Sequence, residues 1–139
     1  MDCLEVYFDG AREPDGVGTY GLVVTREGKE LYGEGGIACA KEPYCTNNYT
    51  EYIALVKALE KALELEASCV YIYGDSQLVV RQIAGLYKVK APHLKPLYDK
   101  AIELLQNFQH YEVTWVPREK NRADRYTKEA YRRLAKFSR

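Results

Sequence analysis

The sequence predicts an α/β fold, a five-stranded mixed sheet with helices on both faces. Three observations predict it. Apolar and polar residues alternate in three stretches before residue 40 and in two more after residue 68, the period of half-buried strands. Among and after these strands lie segments whose apolar residues recur every three to four positions, the helical period. The resulting order, βββαβααβα, makes the first strand central, paired antiparallel on one side and parallel on the other. A chain of 139 residues is expected to form one domain, spanning 1–139 and burying about two thirds of its unfolded surface.

The first strand covers residues 3–8, with Leu4, Val6 and Phe8 on one face. The second covers 18–25 and the third 30–38, joined by a turn at Glu27 and Gly28. Residues 48–65 read as a helix because Tyr52, Leu55, Val56, Leu59 and Leu63 form one stripe. Residues 69–73 are a short buried strand, and 76–84 a short helix. The helix over 94–108 gathers Leu97, Tyr98, Ala101, Leu104, Leu105 and Phe108 on one side. A strand over 111–116 stops before Pro117, and a final helix from about 122 to 137 turns Ala123, Thr127, Ala130, Tyr131 and Leu134 inward. The connection over 85–96, with Lys88 and Lys90, is expected to be the most mobile.

Net charge is zero, yet residues 1–66 hold 13 acidic and 6 basic side chains, while 118–139 hold 9 basic and 3 acidic. A last helix bearing Arg122, Arg125, Lys128, Arg132, Arg133, Lys136 and Arg139 could meet a polyanion, or could simply be a solvated face. No basic leader or long apolar segment opens the chain, so a soluble, cytoplasmic protein with no membrane partner is expected. Cys3, Cys39, Cys45 and Cys69 lack zinc-site spacing, and free, partly buried thiols are the default. Abundant Glu and Lys with one Met lean towards a thermophilic source, where an intracellular disulfide is less surprising.

Four acidic residues stand at element boundaries: Asp9, Glu51, Asp75 and Asp124. Asp9 and Asp75 each close an apolar run, so both should sit at the C-terminal ends of strands. Neighbouring strands lie about 4.8 Å apart, close enough for the two carboxylates to share an ion. Each residue also has a structural explanation. Asp9 precedes Gly10 and could be a turn residue; Glu51 stands three residues after Asn48, the spacing of a capping box; Asp75 could cap the short helix; Asn121 could cap the last one with Asp124 at its third position. Against this, Glu51 shares a helix side with Leu55, Ala58 and Ala62, which turns its carboxylate towards the sheet.

Two motifs are set aside. Residues 16–21 match G-x-G-x-x-G but precede a strand, so the helix N-terminus of a dinucleotide site is missing. Asn48-Tyr49-Thr50 matches a glycosylation sequon with no signal segment to deliver it. His93 and His110 adjoin no acidic motif or nucleophile and read as surface or packing residues.

The segments YFDG (7–10), TNNYTE (46–51), YGDSQ (73–77) and NRADR (121–125), in that order, resemble the type 1 ribonuclease H family over nearly the whole chain. The resemblance implies a ribonuclease H-like fold and an endonuclease, dependent on Mg²⁺ or Mn²⁺, that cuts the RNA strand of RNA/DNA hybrids. By similarity Asp9 bridges two metal ions, Glu51 and Asp75 complete one site, and Asp124 the other. Hard divalent ions prefer such oxygen donors, and no protein nucleophile or organic cofactor is then required. Products would carry a 5′-phosphate and a 3′-hydroxyl. Asn47, Asn48 and Gln77 match groove-contacting positions, where amides suit 2′-hydroxyls; Gly10 and Ala11 could present backbone to the RNA; Thr46 matches a position that helps hold a DNA-strand phosphate.

The chain departs from the family in two places. The loop before the last helix usually carries a histidine; here residues 117–121 hold none, and Arg118 is the auxiliary candidate. The basic protrusion of some members is also absent, leaving Lys88, Lys90 and Lys95 and, as possible compensation, the last helix. A monomer is expected. The rival readings are a related nuclease for double-stranded RNA or branched DNA, and a non-catalytic nucleic-acid-binding module, in which clustered carboxylates would only repel phosphates.

Overall fold

The computed structural model describes residues 2–137, and Arg139 of the basic helix face lies outside them. Strand β1 (Cys3–Arg12) forms the middle of a sheet ordered β3-β2-β1-β4-β5, with β2 at Val17–Arg26, β3 at Lys29–Ala40, β4 at Cys69–Gly74 and β5 at His110–Trp115. β1 pairs antiparallel with β2 and parallel with β4, and β4 pairs parallel with β5, as the element order predicts. The antiparallel ladder continues to Arg12↔Gly18, whereas the parallel one ends at Phe8↔Gly74. Asp9 is therefore inside β1, a correction to its expected place at the strand end. It is the first residue past the β4 ladder, where the two parallel chains separate.

Leu4, Val6 and Phe8 project to one face beside Leu22, Val24, Val70 and Ile72, all essentially inaccessible to water. Helix α1 (Asn47–Glu64) lies across them through Tyr52, Leu55, Ala58, Leu59 and Ala62. Helices α2 (Gln77–Ile83) and α3 (Lys95–Leu105) complete this layer with Val79, Ile83, Ala101 and Leu105. Each large side chain enclosed here contributes roughly 1.5–3 kcal/mol by leaving water. On the other face α4 (Asp124–Phe137) covers β2 and β3, preceded by a 3₁₀ turn at Arg118–Lys120. Glycines allow this contact: a Cβ on Gly35 would overlap the Tyr126 carbonyl, and one on Gly33 the Tyr126 ring.

The thiols expected to be free are paired. Cys3–Cys69 links β1 to β4, residues that face each other in the parallel register, with Cα atoms 4.3 Å apart. Cys39–Cys45 closes the passage from β3 to α1, with Cα atoms 5.7 Å apart. Spacing alone could not show either pair, because one depends on sheet register and the other on the turn after β3. Among the described residues no helix is long and apolar enough to cross a membrane.

Candidate active site

The predicted caps give way to others. Thr46 caps α1, its hydroxyl accepting from the Tyr49 amide at 3.2 Å, so Asn48 and Glu51 form no capping box. Ser76, not Asp75, caps α2, accepting from Val79 at 3.2 Å. The Asn121 side chain accepts from the Ala123 amide at 3.1 Å, and Asp124 is the first residue of α4 instead of the third. All three carboxylates are thereby relieved of the local capping duties that could have explained them.

Asp9 points to the α4 face of the sheet, paired across the ladder with Gly21, against which Ala123 and Tyr126 rest. Gly10, the next residue, meets the start of α1: a Cβ there would overlap the Thr50 and Glu51 backbone. This close approach brings Glu51 to the sheet edge. One carboxylate oxygen each from Asp9, Glu51 and Asp75 lies within 4.8 Å of the others. Asp124 is outside this trio but near enough on α4 for its charge to bear on Asp9, and its carboxylate pairs with Lys128 at 2.9 Å. Asp9 and Glu51 are buried, at 5% and 6% exposure, and Glu51 Oε2 has no hydrogen-bond partner.

Such a cluster holds protons tightly. Burial, then the charges of Asp75 and Asp124, raise Asp9 from 3.8 to about 8, with the Arg118 guanidinium opposing. Burial and the charges of Asp9 and Asp75 push Glu51 well up. Asp75 is also raised by burial, less so because Asn121 and Arg118 favour its charged form. A hard divalent cation fits this donor set: every donor is an oxygen, one of them buried and unpartnered, and its charge would relieve the repulsion.

Two residues that sequence reasoning left unassigned or reduced to a cap hold the cluster in place. Asn121, 5% exposed, donates to the Phe8 carbonyl at 2.9 Å and approaches Asp75 Oδ2 at 3.4 Å, joining β1, the β4 exit and the approach to α4. Trp115 Nε1 donates to the Asp75 carbonyl at 3.0 Å. Asn121 lies within the NRADR segment, but its partners are 113 and 46 residues away, beyond the reach of spacing.

A cleft of about 420 Å³ beside the carboxylates is lined by Gly10, Ala11, Arg12, Asn47, Asn48, Glu51, Asp75, Ser76 and Arg118. Asn47 is anchored there, its Oδ1 accepting from the Arg12 amide at 2.9 Å. Arg118 also borders a second hollow with Asn121, Asp124, Arg125 and Lys128, so it stands between the two openings. Gln77 is not in the cleft; it lies exposed one residue past Ser76, beside Trp115. Thr46 is likewise set back, with His93 Nε2 3.3 Å from its hydroxyl.

A family profile described as reverse transcriptase-like matches residues 7–129. Ribonuclease HI of Halobacterium salinarum is 37% identical over 129 residues, 91% of this chain and 63% of its own. The chain thus spans under two thirds of that relative and 33% of bifunctional protein Rv2228c of Mycobacterium tuberculosis. The structure of the N-terminal RNase H domain of Rv2228c superposes with a TM-score of 0.89 at 32% identity, covering both chains fully. LC11-RNase H1 in complex with an RNA/DNA hybrid superposes at 0.84 and 33% identity, over 95% of this chain and 99% of that one.

Proposed function

The chain belongs to the type 1 ribonuclease H family, and from that we propose that it is an endonuclease hydrolysing the RNA strand of RNA/DNA hybrids. The observation that carries the proposal is the convergence of the Asp9, Glu51 and Asp75 carboxylates, with an unpartnered buried oxygen, beside a cleft edged by amides and strand backbone. Asp9, Glu51 and Asp75 would hold one Mg²⁺ or Mn²⁺, and Asp9 with Asp124 a second. Bound there, the ions supply charge neutralisation at the scissile phosphate and acidify the attacking water.

The rest is the work of side chains and backbone. Asn47 and Asn48 present amides that both donate and accept, suited to 2′-hydroxyls in a wide minor groove. Gly10 and Ala11 allow the RNA backbone to approach β1 without obstruction. Gln77 extends the amide row along the rim, and Thr46 with its neighbour His93 faces the more distant DNA strand. Arg118, in place of the usual histidine, places a cation where a departing phosphate gathers charge. Hydrolysis then yields 5′-phosphate and 3′-hydroxyl ends, by a monomer in the cytoplasm.

The test is cleavage of a hybrid labelled on RNA, with Mg²⁺, Mn²⁺ or a chelator, beside Asp75→Asn. Internal RNA cuts that need metal and vanish in the variant are expected. Intact hybrid alongside cut double-stranded RNA or branched DNA would overturn the substrate assignment, and binding without any cutting would overturn the enzyme.

A further inference from the structure

We propose that the Cys39–Cys45 disulfide is a positioning element for hybrid binding, holding the segment Thr46, Asn47 and Asn48 in register with the end of β1. The inference rests on the function proposed above. Cys39 is the penultimate residue of β3, and Cys45 immediately precedes the cap of α1, so the bridge closes the whole connection between them. Both sulfurs are buried, Cys45 at 1% exposure, and both would lie 2.7 Å from a Cβ on Gly18, which also faces the Thr50 methyl. The bridge is thus set where β2, β3 and the first turns of α1 meet. Two residues beyond it, Asn47 receives the Arg12 amide, and Arg12 is two residues past Gly10.

The other ties on this connection are single polar or ring contacts: the Ala40 amide to Glu42 at 2.6 Å, the Thr46 hydroxyl to His93 at 3.3 Å, and the Tyr44 ring against Tyr49. Lys41 sits at a φ of 68°, a left-handed conformation unfavourable for a side chain, tied by its amide to the Gly16 carbonyl at 2.9 Å. Cys45 and Thr46 donate backbone bonds only to Glu42 and Tyr44 within the turn itself. With the bridge open, the turn gains freedom that substrate must remove again on binding, which weakens association without altering the bound geometry of the carboxylates. Cys3–Cys69 provides an internal comparison. It joins β1 to β4 six residues before Asp9, roughly 20 Å away along the strand.

The experiment compares Cys39→Ala/Cys45→Ala and the volume-retaining Cys45→Ser with Cys3→Ala/Cys69→Ala. It reads steady-state kinetics on an RNA/DNA hybrid and amide hydrogen exchange over residues 41–50. Both Cys39–Cys45 variants should raise KM about five- to tenfold with kcat within about twofold, and exchange at 46–48 should quicken. The Cys3/Cys69 variant should melt lower and keep its KM. An unchanged KM in both Cys39–Cys45 variants overturns the proposal, as does an equal rise in the Cys3/Cys69 variant, which would mark general loss of stability. Should the wild type leave hybrid uncut, the ribonuclease assignment fails by itself and exchange decides the positioning claim: quickened exchange supports it and unchanged exchange refutes it.

Discussion

Replacing Asp9 by Asn should inactivate the site and yet stabilise the metal-free protein. The folded carboxyl titrates near 8 against 3.8 in the unfolded chain, so between those values the folded state carries more protons. Stability therefore falls as pH rises through that window, and the loss is complete above about 8. At pH 7 the 3.8-to-8 shift corresponds to about 4 kcal/mol, and at pH 4 to well under about 1 kcal/mol. Asn keeps the shape, carries no charge, and offers its NH₂ to the Asp124 and Glu51 oxygens. Relaxation of the cluster and its coupling to Glu51 make the full figure a ceiling. For a 139-residue chain a half to the whole of it is a rise in melting temperature of roughly 7 to 15 °C. Circular-dichroism melts in chelator at pH 4, 5.5, 7 and 8 would measure it. The gap should open with pH, and saturating Mg²⁺ should reverse the order by stabilising only the wild type. Equal melting at pH 7, or a gap that widens towards acid, would refute the reasoning.

Asn121→Ala leaves the buried Phe8 carbonyl without its donor and should cost about 1–3 kcal/mol in melts while slowing single-turnover cleavage; unchanged stability would remove Asn121 as the joint. Gly35→Ala forces a methyl against the Tyr126 carbonyl, so α4 must lift, at about 1–3 kcal/mol by denaturant unfolding. An unperturbed midpoint would mean that α4 is not seated on the glycines as described. Arg118→Ala should lower kcat on the order of tenfold, about 1.4 kcal/mol of transition-state stabilisation, with Arg118→Lys recovering part. It should also move the acid limb of the rate profile upward, since Arg118 opposes the raised values of Asp9 and Asp75; the same kcat and limb would dismiss it.

Much of this architecture is legible in the chain because burial imposes its period directly. The alternation of Leu4, Val6 and Phe8 and the stripe of Tyr52, Leu55 and Leu59 each face one dry layer, and both are seen there. Convergence of Asp9, Glu51 and Asp75 is legible in the same way, because the element order brings their segments to one sheet edge. Local polar choices were harder, because several capping residues compete in a row. In Thr46-Asn47-Asn48 the hydroxyl takes the cap, since Asn47 is committed to Arg12 across 35 residues. Ser76 likewise displaces Asp75. Sulfur pairing was illegible for a related reason: Cys3 and Cys69 meet only once the parallel register is set.

The bond from Asn121 to the Phe8 carbonyl spans 113 residues, nearly the whole described chain. Synthesis proceeds from the other end, and strands β1 to β3 can associate as soon as they emerge. Of the carboxylates only Asp9 is then present; Glu51 and Asp75 follow, and the joint that seats Asp75 and the helix that brings Asp124 come last. The repulsive centre is thus gathered onto a β1–β3 unit that can pair before Glu51 and Asp75 exist, sparing that first step its electrostatic cost. Topology also acts as a timer: a nascent chain halted before residue 121 has neither the joint nor the fourth carboxylate, so the donor set closes only when translation has passed both.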